Sequence, residues 1–388
     1  MLKMKKLILF TSCLFAFWNG KAQENRVITT GVPFLMVSAD ARAAGMADIG
    51  VATSTDAFSQ QWNPAKYAFA TEQQGVSLSY TPYLTDLAND IALGQLTYYN
   101  RINERSAFAT SLRYFSFGEI ELRQTGDANE VTRKVSPSEL ALDGSYSLKL
   151  SETFSMAVAG RYIRSALKVA DANNDASAAN TFAIDIAGFY QSEEMAYNDF
   201  NGRWRAGFNI QNLGPKISYD NDNISSNFLP ANLKVGGGFD FILDDYNKVA
   251  LNVEFNKLLV PTPQYLSTDT AAETTQKTED YQKIGWTSGI FKSFGDAPGG
   301  FSEEVKEVTY AAGAEYTYQD SFALRMGYFN ESALKGNRKY FSLGAGFKYT
   351  TVKIDVSYLF SASKIKNPLE NTLRFSLTLN FGDHYDEY

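Results

Sequence analysis

The sequence predicts an all-β fold, a fourteen-stranded transmembrane β-barrel preceded by a leader and by an N-terminal segment of different character. Three observations predict it. Apolar and polar residues alternate with period two in one stretch after another, as strands with one apolar and one wet face require. The connections between those stretches alternate between tight turns and long loops, the layout of an outer-membrane barrel. Aromatic content is 14%, with 23 Tyr and 28 Phe, yet after the leader no run approaches the roughly 18 consecutive apolar residues of a transmembrane helix. Alternation between lipid-facing and lumen-facing positions accounts for both that aromatic content and the low mean hydropathy of −0.26.

The leader comes first in the chain. Lys3, Lys5 and Lys6 precede an apolar run from Leu7 to Trp18, and Asn19-Gly20 and Ala22-Gln23 follow. Basic, apolar and small-residue segments in that order make a secretory signal peptide. Residues 1–22 are expected to be removed after Ala22. Cys13, the only cysteine, falls inside it, so the mature chain is expected to have no thiol chemistry and no disulfide.

Residues 23–74 do not alternate. Ser38 to Met46 is rich in small residues, and Ser54-Thr55-Asp56-Ala57-Phe58 reads as a capped helix start that Asn63-Pro64-Ala65 ends. A fourteen-stranded barrel leaves a lumen too wide for its own side chains to fill. The expected place for this segment is therefore a hatch or plug inside the periplasmic mouth, with Trp62, Asn63, Pro64 and Ala65 in it.

Strands are expected near residues 75–84, 91–101, 105–118, 138–150, 152–168, 179–190, 202–213, 231–242, 246–259, 308–318, 320–330, 338–349, 351–361 and 371–381. The last is the cleanest: Leu373, Phe375, Leu377, Leu379 and Phe381 oppose Arg374, Ser376, Thr378 and Asn380. The barrel thus covers 75–381, with 382–388 as a periplasmic tail. An even strand count suits a bacterial barrel. The tight connections include 102–104, 243–245, Gln319 and Thr350, with 191–201 a longer exception. The long ones are 119–137, 169–178, 214–230, 260–307, 331–337 and 362–370. With tight turns periplasmic, both ends of the mature chain are expected in the periplasm. Ile284–Phe294 is assigned to the 260–307 loop as a short helix, because a fifteenth strand breaks the alternation.

Tyr80, Tyr83, Tyr98, Tyr99, Tyr114, Tyr328, Tyr340 and Tyr358 lie near strand ends and are expected to form aromatic girdles in contact with outer-membrane lipids. Arg113, Arg161, Arg203, Arg205, Lys234, Asp240, Glu254, Arg325, Lys348, Lys353, Asp355 and Arg374 lie on wet faces. Their mixed signs imply ion pairing inside the lumen and not an open charge-selective pore.

A resemblance carries the reading further. Gly31-Val32-Pro33-Phe34-Leu35, the run from Ala39 to Thr53, and Asp56 to Tyr67 with its Trp62-Asn63-Pro64-Ala65 resemble the N-terminus of the PorV family of the type IX secretion system of Bacteroidota. Ser293 to Phe301 (SFGDAPGGF) and Phe322 to Phe329 (FALRMGYF) resemble it too. The wider group is FadL-like, with fourteen strands and an N-terminal hatch carrying Asn-Pro-Ala. The resemblance implies a carrier that accepts cargo with type IX C-terminal signal domains from the SprA/Sov-like translocon barrel. It implies delivery of that cargo to the attachment complex containing PorU. A FadL-like transporter of hydrophobic small molecules is the alternative on the same fold.

Catalysis is disfavoured. A Ser-His-Asp arrangement needs a histidine to take the serine proton, and the single histidine, His384, is expected in the acidic tail. No cofactor and no metal site is expected. Asp220-Asn221-Asp222-Asn223 and Asp171-Asn173-Asn174-Asp175 lack the glycine and distal glutamate of a calcium loop. Gly236-Gly237-Gly238 does not join a strand to a helix and is expected to kink the barrel wall. The net charge of −7 argues against a nucleic-acid partner. The residues expected to bind partners are apolar side chains of the long loops: Phe228, Leu229, Leu259, Val260, Ile290, Phe291 and Phe301.

Overall fold

A computed structural model describes residues 26–385, apart from 86, 87, 89, 124–131, 169–177, 220–225, 267, 363–369 and 371. The leader with Cys13 and the Asp171 and Asp220 loop motifs lie outside the described residues. Fourteen antiparallel strands close into a ring. They are β1 (Glu72–Pro82), β2 (Ile91–Arg101), β3 (Ser106–Phe117), β4 (Ser138–Lys149), β5 (Phe154–Ala166), β6 (Ala179–Gln191) and β7 (Asn201–Leu213). The other seven are β8 (Asn232–Ile242), β9 (Asn247–Leu258), β10 (Val308–Tyr318), β11 (Phe322–Asn330), β12 (Lys339–Tyr349), β13 (Val352–Ser361) and β14 (Leu373–His384). Each pairs with its neighbours in sequence, and β1 closes the ring against β14 from Gln74↔Phe381 to Tyr80↔Phe375. Most strands have 11 to 13 residues, enough to cross a bilayer at a tilt, which takes roughly 9–11.

Period two decides the faces. In β14, Leu373, Phe375, Leu377 and Leu379 are exposed on the outside while Arg374, Ser376 and Thr378 are buried inside. The outer face meets hydrocarbon, where an apolar side chain costs nothing. The inner face meets a second layer of polypeptide, where polar groups find partners.

Three expectations change at the wall. Tyr80 and Tyr114 are exposed on the outer face, but Tyr99 and Tyr340 are only 3% exposed and point inward. Tyr99 stacks on Tyr67 at 5.0 Å and Tyr340 donates to Asp48 at 2.6 Å. Tyr83 also packs among the inner residues Phe34 and Phe115. The Gly236–Gly238 run makes no kink: β8 pairs without register shift to β7 and β9. A Cβ on Gly236 would sit 2.6 Å from Val51 Cγ1, so that glycine makes room for the N-terminal segment. His384 is not in a tail; it is the last residue of β14, with Nδ1 3.6 Å from Glu72 Oε2.

The N-terminal segment, residues 26–71, forms no wall strand. It contains a 3₁₀ turn at Pro33–Met36, α1 (Ala41–Ala44), α2 (Ser59–Trp62) and a second 3₁₀ turn at Pro64–Phe69. It lies within the ring, bonded to inward side chains. Arg113 donates to the carbonyls of Phe34, Leu35 and Val37 at 3.0, 3.1 and 2.7 Å. Glu254 accepts from Gly50 and Val51 N–H at 2.8 and 2.9 Å. Ser376 and Ser342 accept from Ala41 and Ala47 N–H, both at 2.8 Å. Bonds to charged groups are worth about 1.5–3 kcal/mol each, so the segment is part of the folded core.

It also runs the whole length of the bore. Arg26 pairs with Glu303 at 2.7 Å, and Gly31 N–H donates to the Phe228 carbonyl at 2.8 Å. Both partners belong to long loops. At the other end Thr71 leads into β1 beside Tyr385, whose N–H donates to the Thr71 carbonyl at 2.7 Å. Residue 26 and residue 385 therefore sit at opposite rims, not at one rim as expected, and the segment is not confined to the short-turn mouth. The reason is burial: Val32, Phe34 and Leu35 find apolar partners (Leu93, Phe115, Ile163, Ile217 and Leu229) in the long-loop half of the lumen.

Candidate functional site

Two regions bear on function: the filled lumen and the 260–307 loop. Inside the ring most charges are paired as the sequence implied, while Arg113 is held by the backbone carbonyls of the N-terminal segment. Arg42 of α1 binds Asp56 and Glu315, each at 2.7 Å. Arg325 binds Glu315 at 2.5 Å and Asp355 at 2.7 Å. A second cluster joins Arg161 to Asp143 at 2.6 Å and to Asp185 at 2.9 Å. Arg205 pairs with Asp240. Trp62 Nε1 donates to Asp40 at 2.5 Å, and the Lys234 ammonium lies 4.2 Å from the centre of the Trp62 ring system.

The Asn-Pro-Ala motif sits in the middle of this packing. Asn63 Oδ1 accepts from Ala65 N–H at 3.0 Å and caps the turn that Pro64 starts. Its amide donates to the Val51 carbonyl at 2.9 Å and to the Gly188 carbonyl at 3.0 Å. Ala65 is fully buried beside Phe189, and its carbonyl accepts from Ser155 at 2.7 Å. The motif thus ties one turn of the segment to β5 and β6. A cavity of about 280 Å³ remains toward the short-turn rim, and its lining includes Arg42, Asp56, Arg205, Asp240, Lys353 and Asp355. It is charged, and its charges are paired.

The 260–307 loop is built outward from a buried floor. Phe228, Leu229, Leu259 and Val260 are between 0 and 5% exposed, which removes them from the surface where partner binding was expected. Phe228 is covered by α3 (Ala271–Lys283) and α4 (Trp286–Lys292), and Leu229 belongs to the apolar cluster of the lumen. Tyr281 of α3 stacks edge-on to Phe228 and donates to the Pro261 carbonyl at 3.1 Å. Gly289 of α4 rests on Phe228 and Pro261 so closely that a Cβ would lie 2.8 Å from the Phe228 ring. Thr270 and Glu273 form a capping box at the start of α3, a helix without a buried residue.

On the outer side of that floor the loop carries Phe291 and Phe301, 78% and 83% exposed. Ile290 is half-buried. Phe294 and Val305, each 54% exposed, join them and were missed in the sequence, although Phe294 stands in a run of Gly and Pro that cannot build a core. α5 (Phe301–Glu304) is anchored from beneath: Glu303 and Glu307 take the Lys335 ammonium at 2.7 and 2.9 Å, and Lys257 reaches Glu304 and Glu307 at 3.1 and 2.7 Å. Asp296 accepts from Thr262 N–H at 3.1 Å. Burial pushes its carboxyl up to about 6, and the nearby Glu304 and Glu307 add to the rise. The Lys335 ammonium holds Glu303, and that of Lys257 holds Glu307, below their ordinary value despite burial.

The fold is similar to that of solved hydrocarbon channels. One is the CymD monoaromatic hydrocarbon channel, 13% identical, with a TM-score of 0.50, covering 92% of this chain and 100% of that one. Another is the toluene transporter TodX of Pseudomonas putida, 12% identical, with a TM-score of 0.46, covering 87% and 95%. A Pseudomonas aeruginosa FadL homologue is 11% identical, with a TM-score of 0.46, covering 92% and 100%. No curated protein matches. The family described as type IX secretion system protein PorV matches residues 20–265, more than half of the chain and the whole N-terminal segment. The chain is an outer-membrane β-barrel and belongs to the PorV family of the type IX secretion system.

Proposed function

We propose that this barrel is a non-enzymatic carrier of type IX secretion. It binds cargo C-terminal signal domains at the SprA/Sov-like translocon barrel and takes the cargo to the PorU attachment complex. In this reading the short turns face the periplasm, the N-terminal segment is a fixed plug, and the 260–307 loop docks the partner. The observation that carries it is the exposure of Phe291, Phe294, Phe301 and Val305 on one loop over a packed, ion-paired base. Large apolar side chains held in water by a rigid support favour a protein partner.

The transporter alternative needs an apolar path through the lumen and a break in the wall beside it. The lumen of this barrel holds paired charges and a bonded segment, β8 runs unbroken, and the one register shift between β6 and β7, at Ile210 to Leu213, is closed by Asn212, which bonds Asp185 and the Pro230 carbonyl; this supports the carrier reading.

The test is the triple substitution Phe291→Ser, Phe294→Ser, Phe301→Ser in the full chain. We expect surface delivery of type IX cargo to fall at least tenfold while the barrel still assembles, read by its heat-modifiable migration on gels. Unchanged delivery with a normal barrel refutes the loop as the docking element.

A further inference from the structure

The one long connection on the short-turn side builds a surface that the carrier reading does not use. Past the rim, Met195–Ala196 pairs with Asn201 and Gly202, so the hairpin continues beyond the barrel. Its tip is a tight turn in which Tyr197 N–H donates to the Phe200 carbonyl at 2.8 Å. The two rings stack at 5.0 Å, and Phe239 and Phe241 hold them from the side at 5.9 and 5.3 Å. The hairpin is thereby fixed at a set distance from the next turn, 243–246. Between them lies a cleft of about 520 Å³.

Four carboxylates border that cleft, Glu194, Asp199, Asp244 and Asp245, with one ammonium, Lys248, which itself reaches Asp320 at 3.2 Å; Glu194 is paired with Arg203 at 3.7 Å. Asp244 is used by its own turn, accepting from Tyr246 and Asn247 N–H at 2.8 Å. Asp199 and Asp245 are exposed. Tyr197, 42% exposed, lines the cleft beside them. Aromatic faces next to unneutralised carboxylates attract ammonium and guanidinium groups. The same carboxylates repel the phosphates of lipid headgroups.

We propose that this cleft docks a lysine- and arginine-rich segment of a protein on the side that the short turns face. That side is the periplasm in the orientation proposed above, but the cleft itself does not depend on it. The segment lies between the hairpin and the 243–246 turn, its cations over Tyr197 and against Asp199 and Asp245.

The test uses the full chain in detergent micelles and a fluorescein-labelled hexalysine peptide, with binding read by anisotropy at low salt. Asp199→Asn with Asp245→Asn is expected to weaken binding at least tenfold. Glu279→Gln with Asp280→Asn, an equal charge change on α3 at the other rim, is expected to change it less than twofold. Tyr197→Leu, which keeps an apolar contact to Phe239, is expected to weaken it several-fold. Equal losses in both charge variants, or none in the first, overturn the proposal. So does loss of peptide binding when the protein is moved into phosphatidylethanolamine nanodiscs, since headgroups then occupy the cleft. The long-loop aromatics are untouched in all these variants, so failure here leaves the carrier reading standing.

Discussion

Arg42 Nη2 lies 2.7 Å from Glu315 Oε1, so a guanidinium of the N-terminal segment is ion-paired to a carboxylate of β10 inside the ring. Both side chains are buried, at 6% and 9% exposure. Removing one partner of such a pair leaves the other charged and without its counter-ion, which costs about 3–5 kcal/mol. Glu315 keeps Arg325, so Arg42→Met is expected at the lower end, about 3 kcal/mol. Denaturant unfolding of the detergent-solubilised barrel measures it, and a loss below about 1 kcal/mol would show the pair to be no stronger than a surface one.

Glycines on the inner wall make a second prediction. A Cβ on Gly327 would lie 2.3 Å from the Met46 carbonyl carbon and 2.5 Å from Ala47 N. Those are backbone atoms and cannot swing away. Gly327→Ala is therefore expected to cost about 1–3 kcal/mol, the usual range for overpacking, and to speed trypsin cleavage at Arg42. Gly160 on the outer face has nothing within 4 Å of its Cβ position, and Gly160→Ala should do neither. Equal behaviour of the two variants counts against a tightly seated segment.

Whether the segment must move can be asked directly. The Ser376 hydroxyl accepts from Ala41 N–H at 2.8 Å, which places the two residues within reach of a crosslink. The only native cysteine, Cys13, is in the expected leader. Ala41→Cys with Ser376→Cys, oxidised, should leave surface delivery of cargo within about twofold of the reduced form, a change under about 0.4 kcal/mol. Delivery that stops on oxidation and returns on reduction would mean that the lumen opens, and the transporter alternative would gain.

The 260–307 loop should respond to pH. The Asp296 carboxyl is raised from 3.8 to about 6, so the folded loop holds that proton more tightly than the unfolded chain does. Its contribution is full at low pH and is lost as pH rises through about 6. Glu303 and Glu307 are lowered from 4.5, so theirs is present above that value and lost as pH falls through the lowered one. The loop is thus expected to be held best near pH 4.5 and to loosen as pH rises to about 6. Hydrogen-exchange protection factors of residues 286–307, which take out the intrinsic rise of exchange rate with pH, should be higher at pH 5.5 than at pH 8 (values of roughly half a unit to two units either side of the Asp296 transition). Asp296→Asn should remove most of that difference. Persistence of the full difference in Asp296→Asn would assign it to another group.

The sequence by itself determined the wall. A strand's side chains alternate by covalent geometry, so lipid and lumen write themselves into every second residue, and the lengths of the connections then order the strands. Parity even held more than was taken from it: Tyr99 shares its face with Thr97 and Arg101, and Tyr340 with Ser342, all turned inward. Tertiary structure alone decided what fills the ring and which loop residues reach water. Phe228 and Phe291 are both phenylalanines in irregular or short helical stretches, yet one is 5% and the other 78% exposed. No local period marks the difference, because it depends on α4 folding back over a floor gathered from two loops. The same holds for the course of the N-terminal segment from Arg26 at Glu303 to Thr71 at Tyr385. Its partners lie up to 335 residues away (Ala41 and Ser376), and only closure of the ring brings them within hydrogen-bond reach.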